Sequence, residues 1–172
     1  MSEFIPVLTK EKIDAQVNHI AQVISADYKD RELILIGILK GAFIFLSDLI
    51  RRLTIPVKVD FMCVSSYGSG TSSSGRIKLS KDVDIDIKNK DVLIVEDIVD
   101  TGLTLSHLVD YLQSSGAASV RICTLIDKRE RRETDVIVDY ACHTVEKGFL
   151  VGYGLDYAEF YRNLPEVYHL KL

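Results

Sequence analysis

Short, continuous apolar runs alternate along this chain with segments in which apolar residues recur every three or four positions. The runs at residues 33–39, 92–95 and 120–126 are of strand length and predict buried parallel strands. The spaced pattern over residues 9–28 predicts an amphipathic helix with Thr9 as its N-cap. Similar spacing predicts further helices after the first two of these strands. We therefore expect an α/β fold with a central, mostly parallel sheet flanked by helices.

A polar segment interrupts this pattern after a predicted strand at residues 57–64. Residues 65–75, SSYGSGTSSSG, cannot contribute to a core, and their composition alone would suit a flexible linker between two domains. Against a linker, each flank is short for an independent domain, and the alternation of strands and helices continues beyond the segment. We therefore expect a single domain over residues 1–172 with a mobile lid at about 65–81.

Composition and charge narrow the class of protein. The chain has 172 residues, 47% of them hydrophobic, which is enough for a sizeable core without disulfides. Its net charge of −4, with basic and acidic residues well mixed, argues against a nucleic-acid partner. Cys63, Cys123 and Cys142 lie in apolar segments, which favours reduced core thiols and a cytoplasmic location. Neither a signal peptide nor an apolar run of membrane-spanning length is present in this sequence, so we expect a soluble protein.

Three carboxylates follow the predicted strand at residues 92–95. Glu96 and Asp97 are adjacent, and Asp100 comes after them in a turn of small residues. An ordinary strand followed by a capped helix would explain one of these acids as a cap, but not three. The cluster therefore predicts a functional site at the end of this strand.

The turn after these acids has the composition of a phosphate-binding loop. Thr101, Gly102 and Thr104 supply hydroxyls, a permissive backbone and unpaired amides just before a predicted helix, whose N-terminus can hold a phosphate. Acids and a phosphate repel each other unless a ligand reconciles them. A phosphorylated sugar would do so, with its hydroxyls on the adjacent carboxylates, its phosphate on the turn, and a divalent cation offsetting the excess charge.

Two lysines stand at the ends of other predicted strands. Lys40 and Gly41 lie between a strand and a predicted helix at residues 42–52, and Lys128 follows the last apolar run. Open α/β sheets bind ligands at this carboxyl edge, although a solvated lysine is an equally good interpretation of Lys40 from residue type alone. The charged residues 129–133 are interpreted as a solvated turn.

Residues 92–105, VLIVEDIVDTGLTL, resemble the ribose-phosphate signature of the type I phosphoribosyltransferases, and their sequence is most similar to that of the hypoxanthine-guanine branch. The resemblance runs through most of the chain. It implies the fold of that family, with a small hood formed from terminal segments. It also implies a pentosyltransferase of purine salvage that moves the phosphoribosyl group from phosphoribosyl diphosphate to N9 of a 6-oxopurine. Magnesium as cofactor and a homodimer or homotetramer are implied in the same way.

The resemblance also assigns roles around the central motif. Asp100 would be the catalytic base that accepts or shares the proton on purine N7. Glu96 and Asp97 would orient the ribose, directly or through magnesium. The 5′-phosphate would be held by the turn residues Thr101, Gly102, Leu103 and Thr104.

Outside the motif, the resemblance assigns three further groups of residues. Pyrophosphate would contact Lys40, Gly41 and Arg162, with a cis peptide before the lysine. The purine would be bound by Lys128 at its exocyclic oxygen, by stacking on Phe149 and by the backbone of Leu150. The lid would carry the pair Ser66 and Tyr67, and Asp156 would be an acid on the magnesium side.

The residues themselves leave several of these assignments open. Phe149 could pack in the core, as isolated aromatic residues in strands usually do. Asp156 is expected to open a last helical turn and could be merely its cap. An enzyme of the same fold could use adenine, uracil or orotate instead, and a non-catalytic regulator could keep the nucleotide site and bind RNA. The acidic balance argues against the regulator, and motifs of dinucleotide-binding or phosphate-loop proteins are absent from the sequence.

Overall fold

The computed structural model describes residues 3–66 and 77–171, which form nine strands and three helices. In chain order these elements are β1 (Glu3–Leu8), α1 (Lys10–Asp27), β2 (Leu33–Leu39), α2 (Phe43–Ile50), β3 (Val57–Ser66), β4 (Ile77–Lys81), β5 (Asp91–Val99), α3 (Leu103–Ser114), β6 (Ser119–Lys128), β7 (Tyr140–Val145), β8 (Leu150–Val151) and β9 (Val167–Lys171).

Six strands form the central sheet in the order β4-β3-β2-β5-β6-β7. All neighbouring pairs are parallel except β3 and β4, which are antiparallel. This arrangement confirms the predicted α/β fold with a mostly parallel sheet.

The apolar runs are continuous because the central strands are covered on both faces. Along β2, Leu33 and Leu35 pack with α1 and α2, whereas Ile34 and Ile36 pack with α3 on the other face. The same alternation holds for the apolar residues at 92–95 of β5 and at 120–125 of β6. A strand buried on both sides cannot show the alternation of apolar and polar residues that a half-exposed strand shows.

Segments from both ends of the chain form a second, smaller sheet. Strand β9 lies between β1 and β8 and pairs with both in the antiparallel direction. This sheet confirms the expected small unit formed from terminal segments.

The helix predicted near the N-terminus is present, whereas the helical turn predicted at Asp156 is not. Thr9 caps α1, as predicted, because its hydroxyl accepts the backbone N–H of Lys12 at 3.3 Å. The predicted helical turn at Asp156 is wrong. Asp156 accepts the N–H of Glu159 at 2.9 Å within a turn, and Ala158 and Glu159 have positive φ angles that a right-handed helix excludes.

The predicted lid at 65–81 falls largely on residues 67–76, which lie outside the described residues. Its base is an antiparallel ladder in which Ser66 pairs with Ile77 and Val64 pairs with Leu79. The lid and the single domain over 1–172 stay predictions.

The state of the cysteines agrees with the expectation of reduced thiols. All three cysteines are free. Burial raises the pKa of Cys123 well above its usual value and that of Cys142 to about 12, so both remain neutral thiols at ordinary pH.

Within 3–66 and 77–171, no helix combines the length and the apolar character that a bilayer crossing requires.

A buried carboxylate, Asp60, fixes the chain that follows β4. It accepts backbone N–H groups from Asp84 at 2.6 Å, Ile85 at 3.0 Å and Phe61 at 2.7 Å, and Lys81 lies 3.5 Å away. Burial acts to raise the pKa of Asp60, but these donors and the lysine outweigh burial, so that its pKa is lowered. Asp60 therefore stabilises the folded chain as a carboxylate.

Replacing Asp60 by alanine is expected to lower the free energy of unfolding by about 2 kcal/mol, because three partly buried amides lose their acceptor. Since the folded pKa is depressed, this contribution is present above the unfolded pKa of about 3.9 and is lost as the pH falls through the folded pKa. Urea unfolding at pH 7 and at pH 3 measures both effects. Asp84→Ala, whose side chain is 84% exposed, is the control, and an equal loss in both variants would contradict this role.

Candidate active site

Three parallel strands deliver the candidate residues to one edge of the central sheet. Lys40 follows β2, Asp100 follows β5, and Lys128 ends β6. Because β2, β5 and β6 are neighbours in the sheet, their carboxyl ends lie side by side. Residues that are far apart in the chain therefore meet at the edge where open α/β sheets bind ligands.

The strand expected at residues 92–95 is longer than its apolar run. β5 continues through Val99, where it is still paired with Asp127 of β6, so Glu96 and Asp97 belong to the strand rather than to the turn. Pairing with β6 extends the strand beyond Val95, although the residues there change from apolar to polar. Both acids are therefore fixed by the backbone of a strand that pairs with β6 on either side of Asp97, at Glu96 and at Ile98.

The adjacent acids Glu96 and Asp97 are partly buried. The Asp97 N–H donates to Glu96 Oε1 at 3.0 Å, and the Ile98 N–H donates to Asp97 Oδ1 at 2.7 Å. Burial, reinforced by the neighbouring Asp97, raises the pKa of Glu96 well above its usual value, and burial also raises the pKa of Asp97. Ionising both acids is therefore unfavourable in these surroundings, and a bound cation would offset that cost.

A cavity of about 170 Å³ separates these acids from the start of α3. It is lined by Glu96, Asp97, Ile98, Val99, Asp100, Thr101, Gly102, Thr104 and Leu105. The turn is therefore open rather than filled by its own chain. This space is where a ligand could touch the acids and the turn together.

The turn itself presents unpaired amides. Gly102 is the N-cap of α3, its φ angle is +84°, and it has no side chain to cap the helix. Within the turn, the Leu103 N–H makes a long contact of 3.3 Å with Thr101 Oγ1. The first intrahelical bond runs from Ser106 to Gly102, so the amides before Ser106 have no helical partner and can bind an anion.

Gly41 lies against the acid pair. A side chain there would place its Cβ 1.8 Å from Asp97 Oδ2, and a Cβ at Gly154 would lie 2.2 Å from the Gly41 carbonyl oxygen. Glycine is required at both positions because the backbones approach so closely. The peptide bond between Leu39 and Lys40 is cis, as the resemblance implied.

Two cations face the same region and are paired with acids. Lys40 Nζ lies 2.7 Å from Glu159 Oε2. The Arg162 guanidinium contacts Asp156 Oδ1 at 3.1 Å and Glu159 Oε1 at 3.3 Å, and it donates to the Gly154 carbonyl at 2.8 Å. Sequence reasoning missed Glu159, since nothing in its local pattern distinguishes it from a solvated glutamate.

Asp100 and Lys128 form a loose pair. Lys128 is 7% exposed, and its Nζ lies 3.9 Å from Asp100 Oδ1 and 3.7 Å from Glu130 Oε2. Asp100 Oδ1 is buried and receives no hydrogen bond from the described part of the chain. This oxygen therefore has unused acceptor capacity, although it is screened from solvent.

The interpretation of residues 129–133 as a solvated turn is wrong for one member. Arg132 has a side chain that is 19% exposed, and its guanidinium donates to the carbonyl oxygens of Asp100 and Lys128. Arg129 and Arg131 are exposed, as expected for a charged turn. No sequence signal separates Arg132 from these neighbours.

Phe149 and Leu150 differ in environment. Phe149 is 46% exposed, so the alternative that it packs in the core is wrong. Its ring meets Tyr157 edge to face with centroids 5.6 Å apart. Leu150 is buried and pairs with His169 of β9. An exposed aromatic face beside a fixed backbone suits a flat heterocycle.

The remaining predicted site residues are the pair Ser66 and Tyr67 and the acid Asp156. Ser66 is the last residue of β3, and Tyr67 lies outside the described residues. Asp156 is held by Arg162, and within the described residues no cluster of three metal-ligating side chains occurs. Magnesium needs only one or two carboxylates when a substrate supplies further oxygens, and the charge-rich pair Glu96 and Asp97 fits that requirement.

The chain is similar over most of its length to proteins of a known family. The family model described as the phosphoribosyl transferase domain matches residues 7–158. The hypoxanthine-guanine phosphoribosyltransferase of Aquifex aeolicus is 48% identical over 163 residues, covering 94% of this chain and 92% of that protein. Its counterpart in Staphylococcus epidermidis (strain ATCC 12228) is 46% identical over 165 residues, covering 96% and 92%.

A crystal structure of a hypoxanthine phosphoribosyltransferase from Staphylococcus aureus matches the fold with a TM-score of 0.93. The two chains are 44% identical, and the match covers 96% of this chain and 90% of that chain. The site geometry, the family match over residues 7–158 and these relatives lead to one conclusion. This chain belongs to the phosphoribosyl transferase domain family.

Proposed function

We propose that this enzyme transfers the phosphoribosyl group from phosphoribosyl diphosphate to N9 of hypoxanthine, guanine or xanthine, giving a nucleoside monophosphate and pyrophosphate. The observation that carries the proposal is the open cavity between the paired acids and the amide-rich turn at the start of α3. The names of its relatives support the choice of a 6-oxopurine and a role in purine salvage.

The sugar phosphate is proposed to lie in that cavity. Its ribose hydroxyls would bond the carboxylates of Glu96 and Asp97, which have oxygen acceptors and border the space. The 5′-phosphate would be bound by hydroxyls and amides of the turn, at residues Thr101, Gly102, Leu103 and Thr104. Fixing the sugar in this way can account for several kcal/mol of barrier reduction, because positioning replaces a costly encounter.

A magnesium ion is proposed to share this site. Glu96 and Asp97 would hold it, with Asp156 as a third acid, and the unfavourable charge of the adjacent pair supports this choice. The chemistry that magnesium supplies when bound is neutralisation of charge on the leaving diphosphate. The chain's own contribution is a set of oxygen donors next to the Gly41 backbone.

Pyrophosphate is proposed to bind Lys40, Gly41 and Arg162. Both cations are paired with Glu159, and an incoming diphosphate would compete with that carboxylate. Arg162 is well suited to the role because its planar guanidinium can bind two phosphate oxygens at once. The close packing of Gly41 on Gly154 keeps the two sides of this subsite together.

The purine is proposed to lie between Asp100, Lys128 and Phe149. Lys128 is a permanent donor, so it would favour an oxygen at purine position six and oppose the amino group of adenine. Phe149 offers an exposed ring face, and the Leu150 backbone would read the edge of the base. Asp100 would accept or share the N7 proton as positive charge builds in the purine, and its unpaired Oδ1 supports that role.

Offering each base with phosphoribosyl diphosphate and magnesium tests this function directly. We expect the spectrophotometric assay to detect nucleotide formation with at least one of hypoxanthine, guanine and xanthine, and none above background with adenine, uracil or orotate. Nucleotide from one of the latter three bases alone would assign another substrate. No nucleotide from any base would favour a non-catalytic regulator.

The same assay on Lys128→Leu tests the origin of the selectivity. We expect KM for hypoxanthine to rise about tenfold or more, because a buried donor to the base is lost, while KM for phosphoribosyl diphosphate changes little. Lys147→Leu, at an exposed lysine, is the matched control. An unchanged KM for hypoxanthine in Lys128→Leu would remove this residue from base recognition.

Self-association and location complete the proposal. We propose a homodimer or homotetramer in the cytoplasm, without a nucleic-acid or membrane partner. The family resemblance and the net charge of −4 support these assignments. Light scattering coupled to size exclusion measures the mass in solution.

A further inference from the structure

One arginine beyond the predicted site connects the two strands that carry Asp100 and Lys128. The Arg132 Nε donates to the Asp100 carbonyl oxygen at 3.0 Å, and Nη2 donates to the Lys128 carbonyl oxygen at 3.1 Å. Nη2 also lies 3.4 Å from the Val99 carbonyl oxygen. The guanidinium thus spans the gap between the last residues of β5 and β6.

The guanidinium is itself held in place by a buried acid. Asp127 is 4% exposed, and its Oδ1 lies 2.5 Å from Arg132 Nη2. Asp127 is the partner of Val99 in the parallel ladder, so the acid projects from the place where the two strands last pair. A planar, permanently charged group with several donors can serve these acceptors together, which an ammonium group cannot do.

The residues next to Arg132 also hold the turn at residues 101–104, where the 5′-phosphate is proposed to bind. The backbone N–H groups of Glu133 and Thr134 both donate to the Thr101 carbonyl oxygen, at 2.9 and 3.1 Å. A Cβ at Gly102 would lie 2.6 Å from the Thr134 carbonyl oxygen and 3.3 Å from Arg132 Cδ. The segment therefore packs directly on the turn that starts α3.

Neighbouring arginines lack these contacts. Arg129 is 63% exposed and pairs with Asp127 at 3.2 Å, but it donates to no carbonyl of the strand ends. Arg131 is similarly exposed and lies 3.6 Å from Asp100 Oδ2. The chain thus contains a matched comparison, because Arg129 and Arg132 share one carboxylate partner and differ in the backbone contacts.

We infer that Arg132 is a positioning residue, which fixes the backbone of Asp100 and Lys128 so that base and donor face the purine together. This inference rests on the proposed function, because it assigns the two roles to those residues. It predicts two separable consequences of loosening Arg132. Turnover falls through Asp100, and purine affinity falls through Lys128. The turn at residues 101–104 keeps the backbone bonds from Glu133 and Thr134 to Thr101, which do not involve the Arg132 side chain, and the diphosphate side at Lys40 and Arg162 is unaffected.

Steady-state kinetics of Arg132→Lys test this inference, with circular dichroism to verify that each variant is folded. We expect kcat to fall about tenfold and KM for hypoxanthine to rise severalfold, with KM for phosphoribosyl diphosphate within about twofold of wild type. Arg129→Lys should leave all three constants within about twofold, since it is an exposed ion pair.

A double-mutant cycle separates positioning from general destabilisation. In an Asp100→Ala background, Arg132→Lys should lower kcat by less than about threefold, because the base that it positions is gone. The rise in KM for hypoxanthine should persist there, because Lys128 remains. A full tenfold loss of kcat in that background, or equal losses for Arg129→Lys and Arg132→Lys, would overturn the inference.

A second variant covers the case in which Arg132→Lys does not fold. Asp127→Asn removes the charge that orients the guanidinium, and we expect the same pattern in kcat and hypoxanthine KM at about threefold. Unchanged constants in that variant would also overturn the inference. An inactive wild-type enzyme would overturn the proposed function together with this inference, whereas an active wild type with unaffected variants would overturn the inference alone.

Discussion

Replacing Asp100 by alanine is expected to lower kcat on the order of a hundredfold or more, while phosphoribosyl diphosphate still binds with nearly unchanged affinity. The physical reason is that Asp100 Oδ1 is a buried acceptor without a hydrogen-bond donor in the described residues, next to the Lys128 ammonium. Such a carboxylate can take a proton from the purine but does not lie among the residues proposed for pyrophosphate. Single-turnover kinetics and calorimetry measure the two quantities separately.

The control for Asp100→Ala is Asp110→Ala, an exposed aspartate on α3. It removes the same charge from the next helix without touching the cavity, so we expect its kcat to equal that of wild type. Near wild-type turnover in Asp100→Ala would remove Asp100 from the mechanism. A large loss of phosphoribosyl diphosphate affinity would instead assign it to substrate binding.

Replacing both Glu96 and Asp97 by alanine is expected to weaken phosphoribosyl diphosphate binding by about tenfold or more, because ribose and magnesium lose their oxygen ligands. The variant should nevertheless be folded. Burial raises the pKa of both acids in the folded protein above their pKa in the unfolded chain. As the pH rises through this range, the unfolded chain loses protons more readily than the folded protein, so the free energy of unfolding falls. Removing them should therefore leave the protein at least as stable at pH 8 as wild type.

Calorimetry with phosphoribosyl diphosphate and magnesium, together with urea unfolding at pH 8, measures both parts of this expectation. Asp110→Ala combined with Glu146→Ala removes two exposed carboxylates and serves as the charge-matched control. Unchanged affinity in the Glu96 and Asp97 variant would count against the ribose assignment. Lost affinity accompanied by lost stability would assign the acids to the fold instead.

The central strands could be predicted from the sequence because their signal is local. The apolar run at residues 33–39 became β2 with the same bounds, since both faces of that strand are covered and every position is apolar. The acids Glu96, Asp97 and Asp100 could be found for a related reason. They stand next to one another in the chain, so their cluster is visible before the fold is known.

Residues whose role depends on distant partners could not be found in this way. Arg132 lies in a charge run and acquires its role only because β5 and β6 end side by side. Glu159 pairs with Lys40, which is 119 positions away in the chain. The helical turn expected at Asp156 is wrong because Ala158, Glu159 and Tyr161 have positive φ angles, which a right-handed helix excludes and which no local sequence pattern announces.

The most direct test is a crystal structure of the protein with inosine monophosphate bound. We predict that the 5′-phosphate lies on the amides of residues 101–104 and that the ribose hydroxyls lie within hydrogen-bond distance of the Glu96 and Asp97 carboxylates. The purine should contact Lys128 through its exocyclic oxygen. A nucleotide bound elsewhere, with the turn before α3 empty and the paired acids out of its reach, would contradict the proposed site.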